Sequence, residues 1–194
     1  MNIHTASRCW VLSSGLVLGA CALTSGEYAA IDSCLAAGQA WNYRIAKCER
    51  PADGPVDLIR VDKSAHLMSV YRGGRLVREF RVALGRGGPQ PKVRQGDGRV
   101  PEGAYRIVAH NPNSAFHLSL RIGYPTAEQV AAAARRGVKA GGDIMIHGLP
   151  NEKGWIGSKH TSVDWTDGCV AVTNREMDWL YKAVADGTPV EIRA

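Results

Sequence analysis

The chain has 194 residues, of which 45% are apolar and 22% charged. That composition excludes a disordered polymer and leaves room for one well-cored domain with short additions, not for two large ones. A formal charge of +6 suits nucleic acid, lipid head groups or a carboxylate-rich polymer and does not choose among them, but no zinc-knuckle spacing, base-stacking aromatic pattern or long Lys/Arg run accompanies it, so nucleic acid is not an expected partner.

Residues 1–20 read as an export signal: Arg8 precedes a mostly apolar stretch, Trp10 to Leu23, followed by small and polar residues. The stretch is too short and too interrupted for a transmembrane span; a buried N-terminal helix is the alternative. Leu18-Gly19-Ala20-Cys21 resembles a bacterial lipobox, which would make Cys21 a lipidated membrane anchor. Cleavage after Ala29 or Ala30 competes with it. Either way the protein is expected to be exported to the periplasm, and a monomer is expected.

Residues 21–55 form a small N-terminal segment. With Cys9 and Cys21 in the signal region, Cys34, Cys48 and Cys169 remain. In an oxidising compartment Cys34 and Cys48 are expected to close a disulfide, contributing about 3 kcal/mol in the chain-entropy view. Pro51-Ala-Asp-Gly-Pro55 reads as a linker into a main domain over 56–194. Cys169 is left over, to be buried or used.

From Val56 the pattern is strand-like. Leu58–Val61, Leu67–Tyr71 and Leu76–Leu84 surround a turn at Arg72-Gly-Gly-Arg75, which predicts a hairpin. A long Gly/Pro/Arg-rich loop, Gly85 to Gly103, follows; such loops are commonly functional. Further strands are predicted at Ala104–Ala109 and Phe116–Ile122. A helix over Thr126–Arg136 has a capping box at Thr126 and Gln129 and a stop at Gly137. Strand Asp143–His147 delivers a histidine at its C-terminal end, Thr173 and Glu176 open a second helix from Asn174 to about Val184, and Pro189–Arg193 is a last strand. The expected fold is mainly β (α+β), mixed strands in a sandwich or barrel with two peripheral helices.

A nucleophilic cysteine needs a base, a group that orients the base, and donors for the developing oxyanion. His147 at a strand end and Gly148 after it supply the first two. Gly168 before Cys169 permits a turn that presents backbone N–H groups, and Thr166 and Asp167 stand beside it. The alternatives stay open at this level: a buried packing thiol, or a metal site, although His147, His160, Asp167 and Cys169 lack a recognised zinc spacing. No metal is expected.

Ile144-Met-Ile-His-Gly148 followed by Gly168-Cys169-Val170 resembles the signature of the L,D-transpeptidase catalytic domain, the YkuD family. The resemblance continues in Phe80-Arg-Val-Ala-Leu-Gly85, Gly96-Asp-Gly-Arg-Val-Pro-Glu-Gly-Ala-Tyr105 and Asp186-Gly-Thr-Pro-Val-Glu-Ile192, and so covers residues 57 to 193. It implies a YkuD-like β-sandwich or barrel and an enzyme without cofactors. Cys169 would be the nucleophile and His147 its base, oriented by the Gly148 carbonyl, with an oxyanion hole from the N–H groups of Asp167, Gly168 and Cys169. It implies peptidoglycan stem tetrapeptides as donors, a thioester acyl-enzyme, release of D-alanine, and 3-3 cross-links or transfer to another amine. A hydrolase on the same scaffold, either an L,D-carboxypeptidase or a cross-link or protein-to-wall amidase, and a non-catalytic wall-binding module are the alternatives.

Two departures stand out: Asp167 occupies the family's usual histidine position, and Ala171 stands where many relatives have arginine. Candidate substrate contacts are Thr166, Arg86, Arg99, Arg121, Tyr124 and Trp165, with Trp155 as a further groove wall. Beside imidazole the thiol is expected to lose proton affinity, leaving much of it as thiolate near neutral pH.

Overall fold

The computed structural model describes residues 23–50 and 54–194. The expected signal segment 1–20, Cys9, Cys21 and the lipobox, and residues 51–53 of the linker lie outside the described residues.

The chain opens with a helix, α1 (Ser25–Ala36), that the sequence reading did not anticipate. Thr24 and Glu27 build a complete capping box, and Tyr28, Ile31, Cys34 and Leu35 form its buried face. The residues Ala29 and Ala30 considered for signal cleavage sit inside this helix, so a cut there would remove its cap. Short strands β1 (Ala40–Asn42) and β2 (Lys47–Glu49) pair antiparallel, and Cys34 is bonded to Cys48. This segment packs on the rest through the Arg44–Glu79 ion pair at 2.8 Å and the Arg78 guanidinium donating to the Gln39 carbonyl at 2.9 Å.

The main body is one eight-stranded sheet. Strand β3 (Leu58–Asp62) pairs antiparallel with β4 (Leu67–Arg72), which forms the expected hairpin with β5 (Arg75–Arg81), so that the three make a meander. Strand β6 (Gly103–Ser114) runs longer than its predicted counterpart, followed by β7 (His117–Ile122), β8 (Met145–His147) and β9 (Val170–Ala171). The final strand, β10 (Pro189–Arg193), is inserted between β3, parallel, and β6, antiparallel. The order is β5-β4-β3-β10-β6-β7-β8-β9.

The sheet curls until its edges meet. Beyond β5, Ala83 exchanges backbone hydrogen bonds with Ala171 of β9 (3.1 and 2.9 Å), and Gly85 bridges to Thr166. This satisfies edge groups that would otherwise be open. Phe80, Ile59, Met68, Ile107, Leu120, Ile146, Met177 and Leu180 fill the interior, each below 2% exposed; burying each contributes about 1.5–3 kcal/mol.

Helix α2 (Ala127–Arg135) is capped as expected by Thr126 and Gln129, and α3 (Asn174–Ala183) by Thr173 and Glu176. A 3-10 segment, Gly154–Ser162, kinked at Gly157, lies between β8 and β9.

The long loop after β5 is tied down, not free. The Asp97 carboxylate accepts from the backbone N–H groups of Val93, Arg94 and Arg99 and from Lys92 Nζ. Although burial opposes it, these donors bring its pKa down to about 2. Lys63, itself buried, adds contacts to the Pro89 carbonyl and to Glu102.

Candidate active site

Strands β8 and β9 run parallel with Ala171 opposite His147, which places the residues just before β9 beside the end of β8. There His147, Cys169, Phe116, Asp143, Met145, Trp165, Thr166 and Asp167 line one cavity of about 520 Å³. The sequence's candidate base and candidate nucleophile thus share a cavity, although they are far apart in the chain.

His147 is held from two directions. Its Nδ1 lies 2.7 Å from the Gly148 carbonyl; a carbonyl only accepts, so Nδ1 carries the proton and Nε2 is the basic nitrogen. Phe116 (centroids 4.6 Å apart) and Trp165 (5.7 Å) flank the imidazole. Burial among these rings lowers the His147 pKa below 6.5, against the raising effect of the Gly148 carbonyl.

Cys169 is half-buried and is the one cysteine without a disulfide among the described residues. Its thiol faces the Asp143 carbonyl at 3.5 Å, aimed there by a left-handed Asp143 backbone (φ 55°). Burial raises the thiol pKa above its ordinary 9.0; the Asp167 and Asp143 carboxylates push it further, while the Met145 backbone and Lys92 oppose them. Both shifts favour the neutral forms, thiol and imidazole. The direction runs against the expected thiolate, with burial in the cavity as the main cause.

The turn before Cys169 is built by Thr166 and Gly168. Thr166, buried, donates from Oγ1 to the Cys169 carbonyl (2.8 Å) and accepts there from the Gly168 N–H (3.2 Å). Gly168 has φ 121°, and a Cβ there would lie 2.5 Å from the Arg99 carbonyl. Gly168→Ala is therefore expected to displace the turn and lower stability by about 1–3 kcal/mol, with at least a tenfold loss of thiol reactivity; thermal melts and alkylation rates of Cys169 check this.

Two further arginines meet carboxylates at the rim. Arg86 pairs with Asp167 at 2.6 Å and Arg121 with Asp143 at 3.0 Å. All four side chains are at least half exposed, so these pairs add little stability.

Tyr124, Arg99 and Trp155 do not line the cavity. Tyr124 is buried, its hydroxyl donating to the Ala140 carbonyl and its ring edge-on to Tyr105. Arg99 turns its Nε onto the Gly87 carbonyl at 3.1 Å, and its carbonyl, not its guanidinium, backs the Gly168 turn. Trp155 is 83% exposed on the 3-10 segment. Conversely, Phe116 and Asp143 emerge as cavity walls that sequence reasoning had placed only in strands. Among the described residues no group of three or more His, Cys, Asp or Glu side chains could hold a metal.

A curled mixed sheet that carries a histidine and a glycine-led cysteine into one cavity defines a class: a cysteine-and-histidine site on a YkuD-type fold. The family model described as the L,D-transpeptidase catalytic domain (YkuD) matches residues 57–192, and the chain belongs to that family. The putative L,D-transpeptidase YafK of Escherichia coli K12 is 30% identical over 112 residues, 57% of this chain and 38% of that protein. The chain thus spans less than half the length of the curated relative it matches. Among solved structures, the helical cell shape determining protein Pgp2 of Campylobacter jejuni aligns with a TM-score of 0.56 at 23% identity, covering 73% of this chain and 48% of that one. The L,D-transpeptidase of Xylanimonas cellulosilytica aligns with a TM-score of 0.50 at 18% identity, covering 88% and 81%. At these identities the structural matches establish the fold.

Proposed function

We propose that the protein is an exported cysteine L,D-transpeptidase that acts on peptidoglycan stem tetrapeptides, with residues 56–194 as the catalytic domain and 21–55 as an accessory segment. The observation that supports this most is that Cys169 shares its cavity with a His147 whose Nδ1 is committed to the Gly148 carbonyl, leaving Nε2 to take a proton.

The reaction starts from the neutral pair. As sulfur attacks the carbonyl carbon of the third stem residue, the thiol proton passes to His147 Nε2, and negative charge develops on the carbonyl oxygen. The Gly168 N–H is taken up by Thr166, so the backbone N–H groups of Asp167 and Cys169 are the oxyanion donors in this reading. Collapse breaks the peptide bond; the amine of D-alanine leaves with the proton from His147, and a thioester remains on Cys169. An acceptor amine then attacks the thioester, gives its proton to His147, and releases the thiol with a 3-3 cross-link formed.

Thr166 keeps the turn in shape, whereas Arg86 and Arg121 stand at the rim, where the guanidinium of either can exchange its aspartate for a substrate carboxylate. Asp167 holds Arg86 in the place where relatives have histidine. Periplasmic location, and membrane attachment through a lipidated Cys21, belong to the same proposal.

Incubation of purified sacculi with the enzyme, followed by muropeptide digestion, tests the reading. New 3-3 dimers and free D-alanine are expected. Shortened monomers alone would make the protein a carboxypeptidase, loss of existing dimers or of bound protein would make it an amidase, and no change in the digest would contradict catalysis on this substrate.

A further inference from the structure

The N-terminal segment reaches the active site through an unbroken series of contacts. The Asp32 carboxylate of α1 accepts from the Ser158 N–H at 2.8 Å, and the Ser158 hydroxyl donates to the Tyr28 carbonyl of the same helix at 3.1 Å. Between them the backbone comes so close that a Cβ on Gly157, at φ 56°, would lie 2.5 Å from Asp32 Oδ2.

Two residues after Ser158 is His160, 5% exposed, and neither of its ring nitrogens has a hydrogen-bond partner among the described residues. Its place is therefore set by packing and by its backbone. Its ring stands edge-on to Trp165 (6.4 Å, 83°), whose Nε1 is also buried without a partner. Trp165 in turn packs on His147 (5.7 Å) and on Phe116 (6.1 Å).

We infer that Asp32 is a positioning residue for His147: by pinning the 3-10 segment through Ser158, it fixes His160 and therefore the depth of the Trp165 wall against the imidazole. The disulfide-closed N-terminal segment is then a working part of the site and not a mere spacer. The inference rests on the proposed role of His147 as the base.

Its mechanism is steric and dielectric. Among the described residues the Asp32 carboxylate and the Tyr28 carbonyl are the hydrogen-bond acceptors that tie Ser158 to α1, so loss of the carboxylate is expected to let the segment lift, Trp165 retreat and water reach the imidazole. The depressed pKa of His147 has burial as its main cause, so hydration returns it upward toward 6.5. The other titratable groups around His147 are Cys169, Asp143 and Asp167 in the cavity and His160 behind Trp165, and all are unchanged in the variants below.

The test uses the full chain with Asp32→Ala, Asp32→Asn and Gly157→Ala. Two readouts are taken: the His147 imidazole titration by NMR, which needs no substrate, and D-alanine release from a stem tetrapeptide. Asp32→Ala and Gly157→Ala are expected to raise the His147 pKa and lower turnover about tenfold; Asp32→Asn, which keeps an acceptor for the Ser158 N–H, is expected to restore both. An unmoved titration in Asp32→Ala and Gly157→Ala would overturn the inference, even with lower turnover, since a merely destabilised fold would give that result. Equal failure of Asp32→Asn would overturn it too. A titration that responds in a protein with no activity on stem peptides would support the positioning role and refute the proposed function instead.

Discussion

Replacing Cys169 by alanine is expected to abolish D-alanine release and acylation by a carbapenem, with a loss of about 10⁴-fold or more, as for other covalent nucleophiles. The fold should survive. The side chain is half-buried and reaches the Asp143 carbonyl through a long sulfur contact, so the stability change should stay within about 1 kcal/mol. The contrast between an intact melt and an absent reaction separates a nucleophile from a packing thiol. A fully active Cys169→Ala protein would refute covalent catalysis here.

His147→Gln carries the second large expectation. Glutamine can still donate to the Gly148 carbonyl but cannot take the thiol proton, so the rate is expected to fall about 10²–10⁴-fold. The pH profile gives an independent signature. Because burial depresses the His147 pKa, the base stays neutral as pH falls below 6.5, and kcat/KM should lose activity only at a more acidic pH. The same depression costs stability in acid, since the unfolded chain takes up below about 6.5 a proton that the folded imidazole refuses. In His147→Gln that acidic limb should disappear from the residual rate. An acid limb that persists unchanged would assign it to another group.

Much of the catalytic sheet was legible because its signals are local. The β3–β5 meander is written in alternation and turn residues, and the caps of α2 and α3 in the Thr-x-x-Gln and Thr-x-x-Glu spacings. Helix α1 carries the same kind of signal, Thr24-x-x-Glu27 with Tyr28, Ile31 and Leu35 on one face, but it follows directly on an apolar run with the composition of an export signal. The insertion of β10 between β3 and β6, and the closure of Ala83 on Ala171, depend on partners remote in the chain, for which no local pattern codes.

The site divides along the same line. Cys169, His147 and Gly148 stood out through residue type and glycine placement, reinforced by family resemblance. Arg99 does not line the cavity because the run Gly96-Asp-Gly-Arg is tied down through its backbone and Asp97, and Tyr124 does not because an aromatic ring near a strand end can face either way. Phe116 and Asp143 reach the cavity, and Asp32 the 3-10 segment, through tertiary approach alone. The protonation state of Cys169 was likewise beyond sequence: it depends on how dry the cavity is and on which carboxylates face it.

Intact-mass spectrometry of the protein after brief exposure to a stem tetrapeptide or a carbapenem addresses the central claim most directly. An adduct mapped by peptide digestion to Cys169, with D-alanine released when the tetrapeptide is used, is the predicted result. An unmodified protein, or an adduct on any other residue, would contradict it.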